Sequence, residues 1–228
     1  KGHPGACGLP AVLAAAELAA GCSGREFLTA LVIAYELGIR AGVIRHATYA
    51  VYHSSGSWGA IAGAAAAGRL LGLGANKLLH AMGAAEYHAP IAPMMKGIDT
   101  PSMGKDSIGW GCMVAILSAL MARDGFTGIP PLFDDAADPG WIKDLGTAWE
   151  MYNLYFKPYA ACRWGQAAVA GALNIVRDHH LTPGRIRRIR VRTFEAAARL
   201  PGRPPRDTEE AQYSLAFPVA VVLHLLQR

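Results

Sequence analysis

The amino-acid sequence predicts a mainly α protein, with a large all-helical part followed by the start of a smaller α+β part. Three observations support this fold class. Hydrophobic residues make up 52% of the 228 residues and charged residues only 17%, so the chain can bury a large core. Alanine, which has the highest helix propensity, is the commonest apolar residue. A β-branched, arginine-rich stretch typical of a strand occurs only late, at 181–194.

The first part is predicted to be a succession of helices separated by short stop signals. The stretch AAGCSG ends one helix and supplies Ser23 as the cap of the next. SSGS caps a third helix, LGLGAN ends it, and Pro90 stops the fourth. A long loop, HAPIAPMMKGIDTPSMGKDS, follows, and loops of this length are more often functional than idle. The predicted helices cover 9–20, 25–42, 57–72, 75–87, about 107–123 and 138–150.

The second part is predicted to begin near residue 160, which divides the chain into 1–160 and 161–228. A helix at 164–178 precedes a strand within LTPGRIRRIRVRTF, and a proline-rich loop leads to a capped helix in DTEEAQYSLAFPVAVVLHLL. One strand cannot form a sheet by itself. We therefore expect this part to be incomplete. Because the sequence opens at Lys1 without a methionine, we also expect a segment upstream.

Composition and charge narrow the function. The formal charge of +5 and the pI of about 9.1 suit an anionic partner without naming one. The four cysteines form no CxxC pair and no metal-ligand spacing, so we expect a cytoplasmic protein without a metal. No apolar stretch reaches the roughly 20 strongly apolar residues of a membrane span, so we expect no membrane partner. The alternation in RIRRIRVR is typical of a half-exposed strand, which we favour over a nucleic-acid site.

Three predicted helix starts share one layout. His53 precedes SSGSWGA, Lys105 precedes DSIGWGC, and Arg163, with Lys157 and Tyr159 just upstream, precedes WGQAAVA. A helix start presents unpaired N–H groups and partial positive charge, and small side chains let an anion approach. If the three starts meet in space, they form a pocket for a molecule that carries several carboxylates. His53 would then carry a proton beside the bound anion.

A structural interpretation of each of these residues remains open beside the functional one. A single histidine or lysine near a helix start is usually a solvent-exposed residue without a functional role. His88 ends a predicted helix and can simply cap its last carbonyls. His3 lies in the loop KGHPG, where nothing internal to the sequence marks it. Helix capping explains Ser54, Ser55 and Ser57 better than nucleophilic catalysis does, because no nucleophile-elbow setting surrounds them.

Five blocks of the sequence, in this order, resemble the MmgE/PrpD family: HPG at 3–5, YHSSGSWGAIAGAAAAGRLLGL at 52–73, PSMGKDSIGWGCMVAILSALMARDGFTG at 101–128, FKPYAACRWGQAAV at 156–169 and DTEEAQYSLAFPVAVVL at 207–223. The family includes 2-methylcitrate dehydratase, cis-aconitate decarboxylase and iminodisuccinate epimerase. The resemblance implies a large all-helical domain, a smaller α+β lid domain and a homodimer. It also implies an active site in the cleft between the domains that uses neither metal nor organic cofactor.

The resemblance also implies roles for particular residues. His3 matches the active-site histidine of the HP motif, His53 the histidine of the second block, and Lys105 the lysine of the third. Many members have a histidine where this chain has Gln166, and glutamine cannot exchange protons. We therefore expect His88 to replace that histidine as an acid.

Residues and resemblance together predict a cofactor-independent lyase, a dehydratase or decarboxylase, that acts on a small di- or tricarboxylic acid of the 2-methylcitrate or cis-aconitate type. His53 is the expected base and His3 or His88 the acid, while Lys105 stabilises enolate-like charge. We expect His53→Ala to abolish turnover and to leave the fold intact. Substrate contacts are expected from Ser54, Ser55, Ser57, Lys157, Tyr159, Arg163 and Gln166.

Two other functions stay open at this point. The first is an isomerase or epimerase that acts on a dicarboxylate such as iminodisuccinate, because epimerisation needs the same charge stabilisation and a base on each face of the substrate. The second is a non-catalytic helical binding or dimerisation module, which the glutamine at position 166 favours.

Overall fold

The computed structural model of the chain describes residues 2–134 and 139–226. Of these described residues 63% are helical and almost none are in strands, which confirms the mainly α prediction. Within the described ranges the α-helices are α1 (Pro4–Leu18), α2 (Gly24–Thr48), α3 (Gly56–Leu70), α4 (Ala75–His88), α5 (Met94–Asp99), α6 (Ile108–Arg123), α7 (Arg163–Asp178), α8 (Glu195–Ala198), α9 (Thr208–Gln212) and α10 (Ala216–Leu225).

The chain divides into two compact units. The first unit contains the residues up to Met94 together with Gly104–Leu154. The second unit contains Met95–Met103 together with the residues from Tyr155 onward.

Helix α3 forms the centre of the first unit. It packs against α1, α2, α4 and α6, and 13 of its 15 residues are buried. Small residues make this possible: a Cβ at Gly63 would lie 2.8 Å from the Cβ of Ala115 on α6. A helix with neighbours on every side needs small side chains on every side, which explains its alanine and glycine content.

Local signals predicted the start of α2 and both ends of α3 and α4, whereas α2 continues to Thr48, six residues beyond its predicted end. The hydroxyl oxygen of Ser23 accepts a hydrogen bond from the backbone N–H of Glu26 at 3.2 Å, which confirms the predicted cap of α2. Helices α3 and α4 begin and end within two residues of their predicted limits. Helix α1 begins earlier than predicted, directly after His3, with Pro4 at its first position.

The predicted helix at 138–150 is wrong. Position 138 lies outside the described residues, and 139–150 contains a 3-10 turn, Pro139–Trp141, then turns up to a second 3-10 turn that begins at Glu150. Two buried charged side chains of α2 explain the absence of this helix, because they bind backbone groups that would otherwise form helical hydrogen bonds. Arg40 donates to the carbonyls of Trp141 and Ala148, and Glu36 accepts the backbone N–H of Glu150 at 3.1 Å.

The predicted strand within 181–194 is also wrong. Ile186 and Phe194 have extended backbone, but no backbone ladder joins residues 186–194 to another segment of the described chain. Ile186 packs against the apolar side chains of α7 and α10, whereas Ile189 is 47% exposed. A strand needs a partner to satisfy its backbone groups, and this stretch has no such partner within the described residues.

Two helical segments, Gly24–Thr48 and Lys105–Arg123, are long and apolar enough to cross a membrane, judged by length and composition alone. Half of the apolar window of α2 is buried inside the protein. This helix also carries Glu36 and Arg40, whose side chains form a buried ion pair at 2.8 Å. A buried core helix passes the same test of length and composition, so this test alone does not identify α2 as a membrane-spanning helix.

The second unit is held together by an apolar contact and by a buried carboxylate. Valines and a leucine of α7 and α10 pack against each other: Val169, Val176, Val219 and Leu223. Glu210, at the start of α9, accepts hydrogen bonds from Arg203 and Arg206. The same helix is capped by Asp207, whose carboxylate accepts the backbone N–H of Glu210 at 2.8 Å.

Acid should weaken the second unit through Glu210. Arg206 first and then Arg203 lower the pKa of Glu210 from 4.5 to about 2. A carboxylate with a lowered pKa in the folded state contributes stability above its unfolded pKa and loses it as the pH falls through the folded pKa. We therefore expect Glu210→Gln to lower the urea midpoint at pH 7, and the gap from wild type to close between about pH 4.5 and pH 2.

The control for this prediction is Glu195→Gln, which removes an exposed carboxylate in the first turn of α8. It should leave the urea midpoint close to that of wild type at each pH. A gap between Glu210→Gln and wild type that stays constant from pH 7 to pH 2 would refute the role of Glu210.

Candidate active site

The N-terminal ends of α3 and α6 lie against each other in the first unit. A Cβ at Gly56 would overlap the backbone carbonyl of Ser107, and a Cβ at Gly111 would lie 2.7 Å from the carbonyl oxygen of Gly56. Two of the three predicted helix starts are therefore neighbours. The third, at Arg163, begins α7 in the second unit.

The backbone before α6 is strained. Lys105, Asp106 and Ser107 follow one another with φ values of 37°, 57° and 56°. Left-handed backbone is uncommon for residues other than glycine, costs of order 1–3 kcal/mol per residue and clusters at functional sites. His3 also has a left-handed φ, 64°, and lies against this turn. Four of the five such residues in the described ranges thus occur at one place.

His3 connects three elements at this place. It precedes α1, and its Nδ1 lies 2.9 Å from the hydroxyl oxygen of Ser55, at the start of α3. The same nitrogen lies 3.1 Å from Oδ2 of Asp106, in the turn before α6. The side chain of His3 is 35% exposed and that of Asp106 is 7% exposed. The ring is therefore both held by protein groups and open to an incoming molecule.

His53 lies beside this place but inside the core, with 2% exposure. Its Nδ1 is 2.7 Å from the carbonyl oxygen of Val51, which can only accept, so Nδ1 donates. In the neutral ring Nε2 then accepts from the hydroxyl of Ser57 at 3.1 Å. His53→Ala would leave a cavity and remove the partner of the buried Ser57 hydroxyl, so we expect it to lower stability; that the fold stays intact remains a prediction.

The three serines before α3 hold the surrounding segments. Ser55 contacts His3, and Ser57 contacts His53. Ser54 donates to the carbonyl of Pro90 at 3.1 Å and accepts the backbone N–H of Ala92 at 3.3 Å. None of these hydroxyls makes a side-chain cap of α3, whose N-cap residue is Ser55, so the capping interpretation is wrong in detail. Their contact with a substrate stays a prediction.

Lys105 and His88 lie on the two segments that border the start of α3. Lys105 is half-buried in the strained turn before α6. His88 is the exposed last residue of α4, with its ring edge-on to that of Tyr87. It lies two residues before Pro90, whose carbonyl accepts from Ser54. The acid role of His88 stays a prediction.

Gln166 braces the segment before α7 in the second unit. Its side-chain oxygen accepts the backbone N–H of Tyr159 at 3.2 Å. Its side-chain nitrogen donates to the carbonyls of Tyr159 and Ala161 at 2.9 and 3.0 Å. Lys157 donates to the same Ala161 carbonyl at 3.2 Å. The glutamine therefore shapes this segment, and its predicted substrate contact stays a prediction.

Arg163 is exposed at the first position of α7. Its guanidinium lies 5.6 Å from the centre of the Tyr155 ring, within the range of a cation–π contact. Its positive charge stands at a helix start, as the sequence predicted, and its contact with a substrate anion stays a prediction.

Sequence reasoning missed Asp106. Its only signal was its position directly after Lys105, in the stretch GKDS.

A second neighbour of this place, Cys7, is not a nucleophile. Burial above all, and then Cys112 and Asp106, raise the pKa of the Cys7 thiol to about 12, so it is neutral at physiological pH.

No group of three or more His, Cys, Asp or Glu side chains within 2–134 and 139–226 is arranged to hold a metal ion. The polar groups that meet at the starts of α3 and α6 are instead suited to proton transfer and to anion binding: an imidazole, a carboxylate, a hydroxyl and helix N–H groups.

Comparison with known proteins shows which family the sequence matches. The model of the MmgE/PrpD N-terminal domain matches residues 1–151, and that of the MmgE/PrpD C-terminal domain matches residues 159–225. The cis-aconitate decarboxylase-like protein oryM of Aspergillus oryzae is 32% identical over 143 residues, 58% of this chain and 29% of the relative. Cis-aconitate decarboxylase of Aspergillus terreus is 25% identical over 185 residues, 70% of this chain and 37% of the relative. The chain therefore spans about a third of the length of these curated relatives.

Proposed function

The chain belongs to the MmgE/PrpD family, and on that premise we propose that it is a cofactor-independent lyase for a small polycarboxylic acid. The substrate is of the cis-aconitate or 2-methylcitrate type. The names of the two Aspergillus relatives support decarboxylation ahead of dehydration. The homodimer, the cytoplasmic location and the exclusion of nucleic acid and membrane stay predictions.

One observation carries the proposal: the starts of α3 and α6 meet beside a half-exposed histidine. The exposed first turn of α6 contributes backbone N–H groups and partial positive charge, the buried start of α3 adds its dipole, and Lys105 adds a cation in the turn before α6. A polycarboxylate bound there has one carboxylate stabilised by these groups while its reacting carbon lies near the ring of His3.

Decarboxylation and dehydration both develop negative charge on the substrate, and this arrangement stabilises that charge in both reactions. In decarboxylation a C–C bond breaks, CO2 leaves, and the electron pair stays on the substrate as enolate-like charge until protonated His3 delivers a proton to carbon. In dehydration a base removes the proton beside a carboxylate, and an acid protonates the departing hydroxyl to release water. In each reaction the developing negative charge on the substrate is the main source of the energy barrier. Fixed dipoles and cations beside that charge therefore supply the largest stabilisation of the transition state.

We assign the proton transfer to His3 rather than to His53. A proton carrier needs to reach the substrate, and His3 is 35% exposed whereas His53 is buried at 2%. His53 instead joins the residues before α3 to Ser57 through its two ring nitrogens. Its role is to position the start of α3.

The test is product identification with the whole protein in heavy water, with cis-aconitate, 2-methylcitrate and iminodisuccinate as separate substrates. We expect one of the two tricarboxylates to be consumed, and NMR of the product identifies the reaction. Decarboxylation loses CO2 and forms one new carbon–deuterium bond, whereas dehydration loses a proton and the hydroxyl and forms a double bond without a new carbon–deuterium bond. Deuterium exchange without loss of CO2 or of water would identify an epimerase instead. Binding of these acids without any turnover would overturn the lyase proposal and favour a binding module.

A further inference from the structure

Asp106 makes the most informative contact at the candidate site. Its Oδ2 lies 3.1 Å from Nδ1 of His3, and its side chain is only 7% exposed. The two residues are 103 positions apart in the sequence, and no motif or matched family description singles out the aspartate. The contact exists because the left-handed turn before α6 and the left-handed backbone of His3 face each other.

Hydrogen-bond chemistry decides which ring nitrogen of His3 carries the proton. The hydroxyl of Ser55, 2.9 Å from Nδ1, can donate or accept, so it favours neither tautomer. An ionised carboxylate can only accept. The contact between Nδ1 and Asp106 therefore requires hydrogen on Nδ1, and in the neutral ring the lone pair is then on Nε2.

We propose that Asp106 is a positioning residue, whose carboxylate holds the ring of His3 in the tautomer with hydrogen on Nδ1 and so makes Nε2 the atom that exchanges a proton with the substrate. That last step rests on the proposed function; the tautomer itself does not. When Nε2 takes a proton, the carboxylate also stabilises the imidazolium that forms. The proton later leaves Nε2 for the substrate, and His3 returns to its neutral form.

The backbone strain fits this role. Three consecutive left-handed residues cost of order 1–3 kcal/mol each, and surrounding structure has to maintain them. The turn brings the carboxylate of Asp106 to His3, with the Ser107 N–H bonded to the carbonyl of Gly104 at 2.8 Å.

The test is Asp106→Asn, because asparagine keeps the size of the side chain and tolerates left-handed backbone. Its amide can present either a donor or an acceptor to Nδ1, so it no longer selects a tautomer. The readout is the pair of ring 15N signals of His3, assigned by their loss in His3→Asn. We expect hydrogen on Nδ1 in wild type and a mixture of tautomers in Asp106→Asn.

Kinetics give the second readout. Loss of the carboxylate that orients a metal-bound histidine typically costs about 10–100-fold in activity, and we expect a loss of the same order for this metal-free pair. We expect kcat of Asp106→Asn to fall by that factor while KM changes little, and the urea midpoint to stay near that of wild type. Asp124→Asn is the matched control: it removes a carboxylate that is 72% exposed at the other end of α6, and both readouts should stay at wild-type values.

The outcomes separate this inference from the proposed function. If wild-type His3 carries hydrogen on Nε2, or if Asp106→Asn keeps the wild-type tautomer and kcat, Asp106 does not position the ring. If the tautomer shifts as expected but wild-type protein converts none of the three acids, the positioning contact stands and the lyase proposal fails.

Discussion

Gly56→Ala is expected to destabilise the first unit by about 3 kcal/mol, the upper end of the usual cost of overpacking. The new Cβ would overlap the carbonyl oxygen of Ser107 and lie 2.9 Å from Cγ of Pro90. Neither neighbour is the mobile end of a long side chain. Helix α3 cannot move away, because it is packed against α1, α2, α4 and α6. Better helix propensity of alanine offsets only about 0.5–1 kcal/mol of this cost.

Urea unfolding followed by circular dichroism measures this effect, with Gly109→Ala as the matched control. Gly109 lies in the first turn of the neighbouring helix α6, and a Cβ there would meet nothing within 4 Å. The control should be as stable as wild type or slightly more stable. Equal urea midpoints for the two variants would show that the starts of α3 and α6 are not in close contact.

Short-range signals account for the parts of the fold that the sequence predicted well. The cap at Ser23, the end of α4 before Pro90 and the run of small residues in α3 each act within one or two helical turns. Capping and propensity are properties of such short stretches, so they can be read without knowledge of the rest of the chain.

Long-range partners account for the two wrong elements. The segment after Trp141 turns instead of forming a helix because Arg40, about a hundred residues earlier, binds its carbonyls and Asp144. The stretch around Ile189 lacks a ladder partner in the described chain. Such partners are far away in sequence, and a local pattern does not contain them.

The candidate site was predicted only in part, for the same reason. The layout of small residues after His53 and Lys105 predicted two helix starts, and the structure brings them together. That His53 is buried and His3 half-exposed was not predictable, because the burial of His53 depends on Tyr49 and Trp58, which pack against its ring. The left-handed turn at Asp106 contains no glycine that would have indicated it.

The second large effect is expected for His3→Asn. Asparagine tolerates the left-handed backbone at this position, and its amide can still donate to Asp106, so the fold should remain unchanged. An amide cannot carry a proton to or from the substrate. Removal of a general acid or base typically lowers the rate by about 10²–10⁴. His179→Asn, at the exposed end of α7, is the matched control and should keep the wild-type rate.

The central claim is that His3, set between the starts of α3 and α6, transfers the proton to a bound polycarboxylate. The most direct measurement is kcat of His3→Asn, relative to wild type and to His179→Asn, with the acid that the wild-type protein consumes. We expect kcat to fall by at least about 100-fold at an unchanged urea midpoint. A kcat within tenfold of wild type would contradict the central claim.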